Sequence, residues 1–131
     1  MPRSKALGVL IVDDHTDARE MLAEFLMHEG YHSIMAANGR EALARLEYIQ
    51  PDVIISDIEM PEMDGAELVR LLRERPHLAS IPVMILTSAR LSEARDRLGD
   101  AASHVRVFLR KPVKLAQLLQ AVVSCVDGAG E

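Results

Sequence analysis

A single cysteine, Cys125, stands in 131 residues. No internal disulfide can staple such a chain, and the composition suits a reducing cytosol. Cys125 falls in the last apolar helical stripe, where a small core residue is expected rather than a reactive thiol. No lysine- or arginine-dense stretch occurs, and the net charge is −5. A nucleic-acid surface is therefore disfavoured, because neutralising phosphates needs clustered basic residues. No apolar run approaches a membrane span, and Met1-Pro2-Arg3-Ser4-Lys5 leads into a strand without a signal-peptide core. A cytoplasmic protein with no membrane contact is the expectation. Internal repeats, low-complexity tracts and linkers are lacking too. One domain over 1–131 remains, with a core over about residues 6–126 and a short, flexible, glycine-rich tail over 127–131.

What is present is ordinary globular composition, 49% apolar and 27% charged, too apolar for disorder and long enough for one real core. Strand and helix signals alternate along it. Leu7 to Val12 is an apolar strand followed at once by Asp13-Asp14, and Ala18, Met21, Leu22, Phe25 and Leu26 then recur at helical spacing until Gly30 stops them. Tyr31 to Ala36 is a more polar strand, placed nearer a sheet edge. Asn38 caps a second helix, with Glu41 three residues on and an apolar face of Ala42, Leu43, Leu46 and Ile49. Val53 to Asp57 is a β-branched strand that ends on an aspartate and enters a loop with Pro61 and Asp64-Gly65. Ala66 to Arg75 predicts a third helix, ended by Pro76. Pro82 to Leu86 is a fourth strand closing on Thr87-Ser88, Leu91 to Leu98 a short charged helix, and Val105 to Leu109 a fifth strand followed by Lys111-Pro112. Leu115, Leu118, Leu119, Val122, Val123 and Val126 mark the last helix. Five strands alternating with five helices predict an α/β fold, a doubly wound parallel sheet with helices on both faces.

A parallel sheet brings the residues just after its strands to one edge, where such folds bind their ligands. Here that means Asp13, Asp14, Asp57, Thr87 and Lys111. Three carboxylates in one cleft repel unless a cation joins them, and a hard oxygen-liganded ion such as Mg²⁺ fits. Lys111 and Thr87 would offer an ammonium and a hydroxyl to an approaching anion, an arrangement suited to phosphoryl transfer. Taken singly, each residue has a plainer reading: Asp13 and Asp14 as caps of the first helix, Thr87-Ser88 as a cap of the fourth, Lys111 as a solvated charge.

Val12-Asp13-Asp14, the run Asp57-x-x-Met60-Pro61-x-Met63-Asp64-Gly65, Thr87-Ser88-Ala89 and Lys111-Pro112, in this order and each after its own strand, resemble the response-regulator receiver domain of two-component signalling. The resemblance covers nearly the whole chain. It implies the flavodoxin-like strand order 2-1-3-4-5 and a regulatory phosphoacceptor, not an enzyme acting on other substrates. Asp57 would take a phosphoryl group from a histidine kinase or phosphotransfer protein. Asp13, Asp14, Asp57 and the backbone carbonyl of Glu59 would hold Mg²⁺. Lys111 would pair with the phosphoryl oxygens, Thr87 would turn inward to them, and Phe108 would be the switch aromatic, its rotamers set by packing alone for want of a hydroxyl. A cis Lys111-Pro112 bond is implied as well. Output would pass through the face formed by the 91–98 helix, the fifth strand and the last helix, to a protein partner or a second copy. The connection Gly99 to His104 departs from the family's Gly-Ala pair, and Glu59 puts an acid at the cleft mouth. No output domain follows Val126, which suits a stand-alone receiver and an excised one equally.

Two other readings compete. A degenerate receiver could act as a phosphorylation-independent binding module, although it would have no use for the complete acidic, hydroxyl and lysine set. More remotely, His28-Glu29-Gly30-Tyr31-His32 fits the H-E-x-x-H pattern of a zinc hydrolase, which needs both histidines on one helix face. Gly30 should break that helix. His15, His77 and His104 lack ligand spacing and are expected at the surface.

Overall fold

The structure, a computed structural model, describes residues 7–129. Its strands are β1 (Gly8–Val12), β2 (His32–Ala36), β3 (Val53–Asp57), β4 (Val83–Thr87) and β5 (Val105–Arg110). All pairings are parallel, and the order is β2-β1-β3-β4-β5. The helices are α1 (Thr16–His28), α2 (Gly39–Leu46), α3 (Gly65–Arg73), α4 (Pro76–Ala79), α5 (Leu91–Leu98) and α6 (Leu115–Ala129). Every residue of β3 and β4 is buried, as interior strands covered by helices on both faces require. The more polar β2, with His32 and Met35 exposed, takes an edge.

Alternation along the strands splits the core in two. Leu10, Val12, Ile54, Val83 and Ile85 face α2, α3 and α5, where Ala42, Leu46, Leu68, Leu72, Ala94 and Leu98 meet them. Val9, Ile11, Ile55, Met84 and Leu86 face α1 and α6, against Leu22, Leu26, Leu118, Val122 and Cys125. Each fully buried Leu, Ile or Val contributes about 1.5–3 kcal/mol, so the sheet is held from both sides.

Four local features differ from or sharpen the sequence reading. Pro76 does not merely stop the third helix; it begins α4, because its fixed φ and missing N–H suit a first helical position, and the described residues form six α-helices rather than five. Gly99, at φ 59, turns the chain out of α5 into a 3₁₀ helix over Gly99–His104. A register shift between Val83 and Met84 skips Arg106, so that Ile85 pairs with Phe108 and Thr87 with Arg110. α6 continues past the apolar stripe through Asp127 to Ala129, while the end of the expected tail lies outside the described residues.

Candidate functional site

The carboxyl ends of β1, β3 and β4 and the turn after β5 form one acidic cleft. The ladder runs a residue past the strands: Asp13 N donates to Ala36 O at 3.1 Å, Ile58 N to Leu86 O at 3.0 Å and Lys111 N to Thr87 O at 2.8 Å. The side chains at these junctions are thereby aimed by backbone rather than by flexible loop.

Asp57, the last residue of β3, is only 4% exposed. Its Oδ2 accepts from Lys111 Nζ at 2.9 Å, and the same ammonium stands 4.0 Å from Asp13 Oδ2. Burial pushes the Asp57 carboxyl above the usual range; Lys111 opposes that shift, and the charges of Asp13 and Asp14 add to it. The Lys111–Pro112 bond is cis. Lys111 is thus not a free solvated charge.

Asp13 is buried and does not cap α1. Its Oδ1 accepts from His15 N at 2.9 Å, its carbonyl accepts from the Arg19 guanidinium at 2.6 Å, and the N-cap position of α1 is His15, without a side-chain bond. Thr87, fully buried, accepts from Ala89 N at 3.0 Å through Oγ1 and does not cap α5. The β3–α3 loop leaves Glu59 exposed, its Oε1 accepting from Ser88 Oγ at 3.4 Å across the cleft mouth. Asp64 at the loop's far end caps α3 through Glu67 N and pairs with Arg97 of α5 at 2.9 Å. Gly65 closes this loop onto β3, its N–H donating to Ile58 O at 2.8 Å.

Among the described residues, one group of His, Cys, Asp and Glu side chains converges well enough for a metal ion: Asp13, Asp14, His15 and Asp57, with one ligand atom from each within 4.8 Å of the others. Asp14 Oδ1 is buried and makes no hydrogen bond, although the His15 ring nitrogen stands 3.3 Å away; a cation or water would satisfy it. Carboxylate oxygens in this number fit a hard divalent ion. Sequence reasoning missed His15, whose Nδ1 lies 3.4 Å from Asp13 Oδ1 and 3.3 Å from Asp14 Oδ1. A ligand-spacing search passes over it because its partners are its own two predecessors.

His104 is not a simple surface residue. Its Nε2 is buried without a partner, and burial, followed by the charge of Arg73, lowers its pKa. The zinc-hydrolase triplet is not assembled. His28 ends α1, Gly30 reverses the chain at φ 95, and His32 begins β2.

Phe108 sits half-buried on the same sheet face as Thr87, two residues further from the cleft edge. The Arg95 guanidinium lies over its ring at 5.1 Å from the centroid, so packing alone does not set this side chain.

The sheet order, the acidic cleft and the lysine after the last strand have their counterpart in known proteins. The family model for the response regulator receiver domain matches residues 9–123, and the chain belongs to that family. An uncharacterised 14.6 kDa protein of Leptolyngbya boryana is 38% identical over 116 residues, which cover 88% of this chain and 87% of that one. The polar-differentiation response regulator DivK of Brucella anthropi is 27% identical, over 98% of this chain and the whole of DivK. The match to the response regulator MprA of Mycolicibacterium vanbaalenii, at 33% identity, takes in only 54% of that protein. Among solved structures, the receiver domain of a histidine kinase from Syntrophus aciditrophicus superposes with a TM-score of 0.87 at 37% identity, covering 94% of this chain and 92% of that one. The chemotaxis response regulator CheY4 of Vibrio cholerae gives 0.83 at 35%, covering 92% and 99%.

Proposed function

We propose that this receiver domain is a phosphorylation-dependent switch in which Asp57 accepts a phosphoryl group from a histidine kinase or phosphotransfer protein. The observation that carries the reading is the Asp57 carboxylate, buried at a strand end, held by Lys111 at 2.9 Å and flanked by Asp13 and Asp14. A carboxylate oxygen of Asp57 forms the new P–O bond while the donor's bond to phosphorus breaks, and the donor leaves with the electron pair. Lys111 fixes the nucleophile and then faces the added charge. Asp13, Asp14 and Asp57, with the Glu59 carbonyl, would hold Mg²⁺, which when bound neutralises charge on the phosphoryl oxygens. Thr87 would exchange its bond from Ala89 N for one donated to the phosphoryl group. The output surface would be α5, β5 and α6, meeting a protein partner.

Mass spectrometry after treatment with acetyl phosphate should show one added phosphoryl group, absent in Asp57→Asn and after chelation. Lys111→Ala should keep the fold and label less. Unchanged labelling of Asp57→Asn would sink the assignment and favour a phosphorylation-independent module.

A further inference from the structure

The cation site of the cleft is built from oxygen, yet an imidazole stands at its rim. His15 Nδ1 lies 3.3 Å and 3.4 Å from one carboxylate oxygen each of Asp14 and Asp13. Neighbouring ligands on an octahedral ion with bonds of about 2.1 Å stand roughly 3.0 Å apart, so these ion-pair separations also bring the three groups within reach of one shared ion. The spacing has a local cause. His15 N donates to Asp13 Oδ1, which ties the residue back to the aspartate two positions before it. The ring itself is largely exposed, so swinging onto an ion costs it little packing. Asp14 Oδ1 is buried and makes no hydrogen bond, and the ring nitrogen is the group that faces it.

We infer that His15 is a metal ligand, making this a mixed nitrogen–oxygen site that prefers borderline transition ions such as Co²⁺, Ni²⁺ or Zn²⁺ to Mg²⁺. This rests on the reading of the cleft as a cation site and extends it. Imidazole nitrogen adds strongly to the affinity of these ions, and adds little for Mg²⁺, which keeps oxygen ligands and its waters. Uptake of a transition ion would engage His15, whereas Mg²⁺ would leave the ring free.

The probes are Co²⁺, followed by its visible ligand-field absorption, and Mg²⁺, followed by calorimetry, on unphosphorylated protein. His15→Ala should weaken Co²⁺ binding by at least ~10-fold, change its absorption band and leave Mg²⁺ affinity within about twofold. In the wild type, diamagnetic Zn²⁺ should shift the His15 ring nitrogen signals in NMR as ligation of one nitrogen does, and Mg²⁺ should not. Equal loss of both ions in His15→Ala would mean the ring merely positions the aspartates, and unchanged affinity for both would mean it does not bind; either overturns the proposal. Asp14→Asn separates the two layers of argument. If it abolishes binding of both ions while His15→Ala alters neither, the cation site stands and the histidine ligand does not. If the wild type takes up neither ion, both readings fall.

Discussion

The carboxylate proposed to react, Asp57, is held in a state that folding alone would not choose. Burial raises its pKa, against the pull of Lys111, so the folded chain binds that proton more tightly than the unfolded chain does. Stability contributed by such a group grows as pH falls from above the native pKa toward the usual 3.8, and at neutral pH the ionised form is a net cost. Asp57→Asn removes the charge without stranding its partner, since the Lys111 side chain is 29% exposed and keeps its water. In metal-free buffer near neutral pH the variant should be more stable than wild type, because the buried charge and its repulsion from Asp13 and Asp14 are gone. Urea unfolding repeated at falling pH should show the gap closing as the carboxyl protonates. A variant no more stable at neutral pH would mean that the Lys111 bond outweighs burial.

At the scale of elements, the β3–α3 junction is the least forgiving. A side chain on Gly65 would meet backbone, with the Cα of Ile58 at 2.8 Å and the Asp57 carbonyl closer still. Nothing there can turn aside, and the atoms that must shift carry the phosphoacceptor candidate. Gly65→Ala should cost at least about 2–3 kcal/mol and lower the melting temperature by roughly 10 °C. Gly39→Ala should be milder, because the nearest atom it meets is Cγ of Met63, on a flexible side chain, although the Met63 carbonyl stands at 3.0 Å. Circular dichroism melts of the two variants compare the cases directly; a Gly65→Ala melt like that of wild type would show the junction to be looser than it looks.

These elements also show what could be seen in advance. Runs such as Val53-Ile54-Ile55 betray buried strands, and a residue at a strand's end goes wherever the parallel sheet puts it, so Asp13, Asp57, Thr87 and Lys111 were legible as one cleft. Contacts between distant elements have no period. Arg95 on α5 reaches Phe108 on β5, and Arg97 reaches Asp64, through crossings that no helical spacing records. Pro76 failed differently: proline punctuates both ends of helices, and only the extended Arg75 before it tells which. His104 took its burial from a 3₁₀ turn that its sequence does not announce.

Across the whole molecule, those crossings bear on how the cleft would reach a partner. α5 is fastened to the β3–α3 loop by Arg97–Asp64, to α3 by the Arg70 guanidinium donating to Arg97 O, and to β5 by Arg95 over Phe108. One charge-assisted hydrogen bond from Thr87 to a phosphoryl group would be worth roughly 1.5–3 kcal/mol, enough to shift a two-state balance by about one to two powers of ten. The Arg95 contact, about 0.5–1 kcal/mol at an exposed site, opposes or adopts that shift without overruling it. Amide NMR with beryllofluoride and Mg²⁺ should show changes across residues 90–115, reduced in Thr87→Ala and altered around Phe108 in Arg95→Ala. Changes confined to the cleft would rule this coupling out.

The same shell gives the chain a clock. Cys125 is its sole thiol, wholly buried on α6 beneath the sheet, and burial holds its pKa high despite Arg106 nearby. A disulfide reagent can reach it only when α6 lifts away, so labelling counts openings rather than collisions. With ample reagent the rate should stop depending on reagent concentration and equal the frequency of that opening. If it instead climbs in proportion to reagent without limit and approaches that of unfolded protein, the thiol is reached without any opening, and the helix does not seal this side of the sheet.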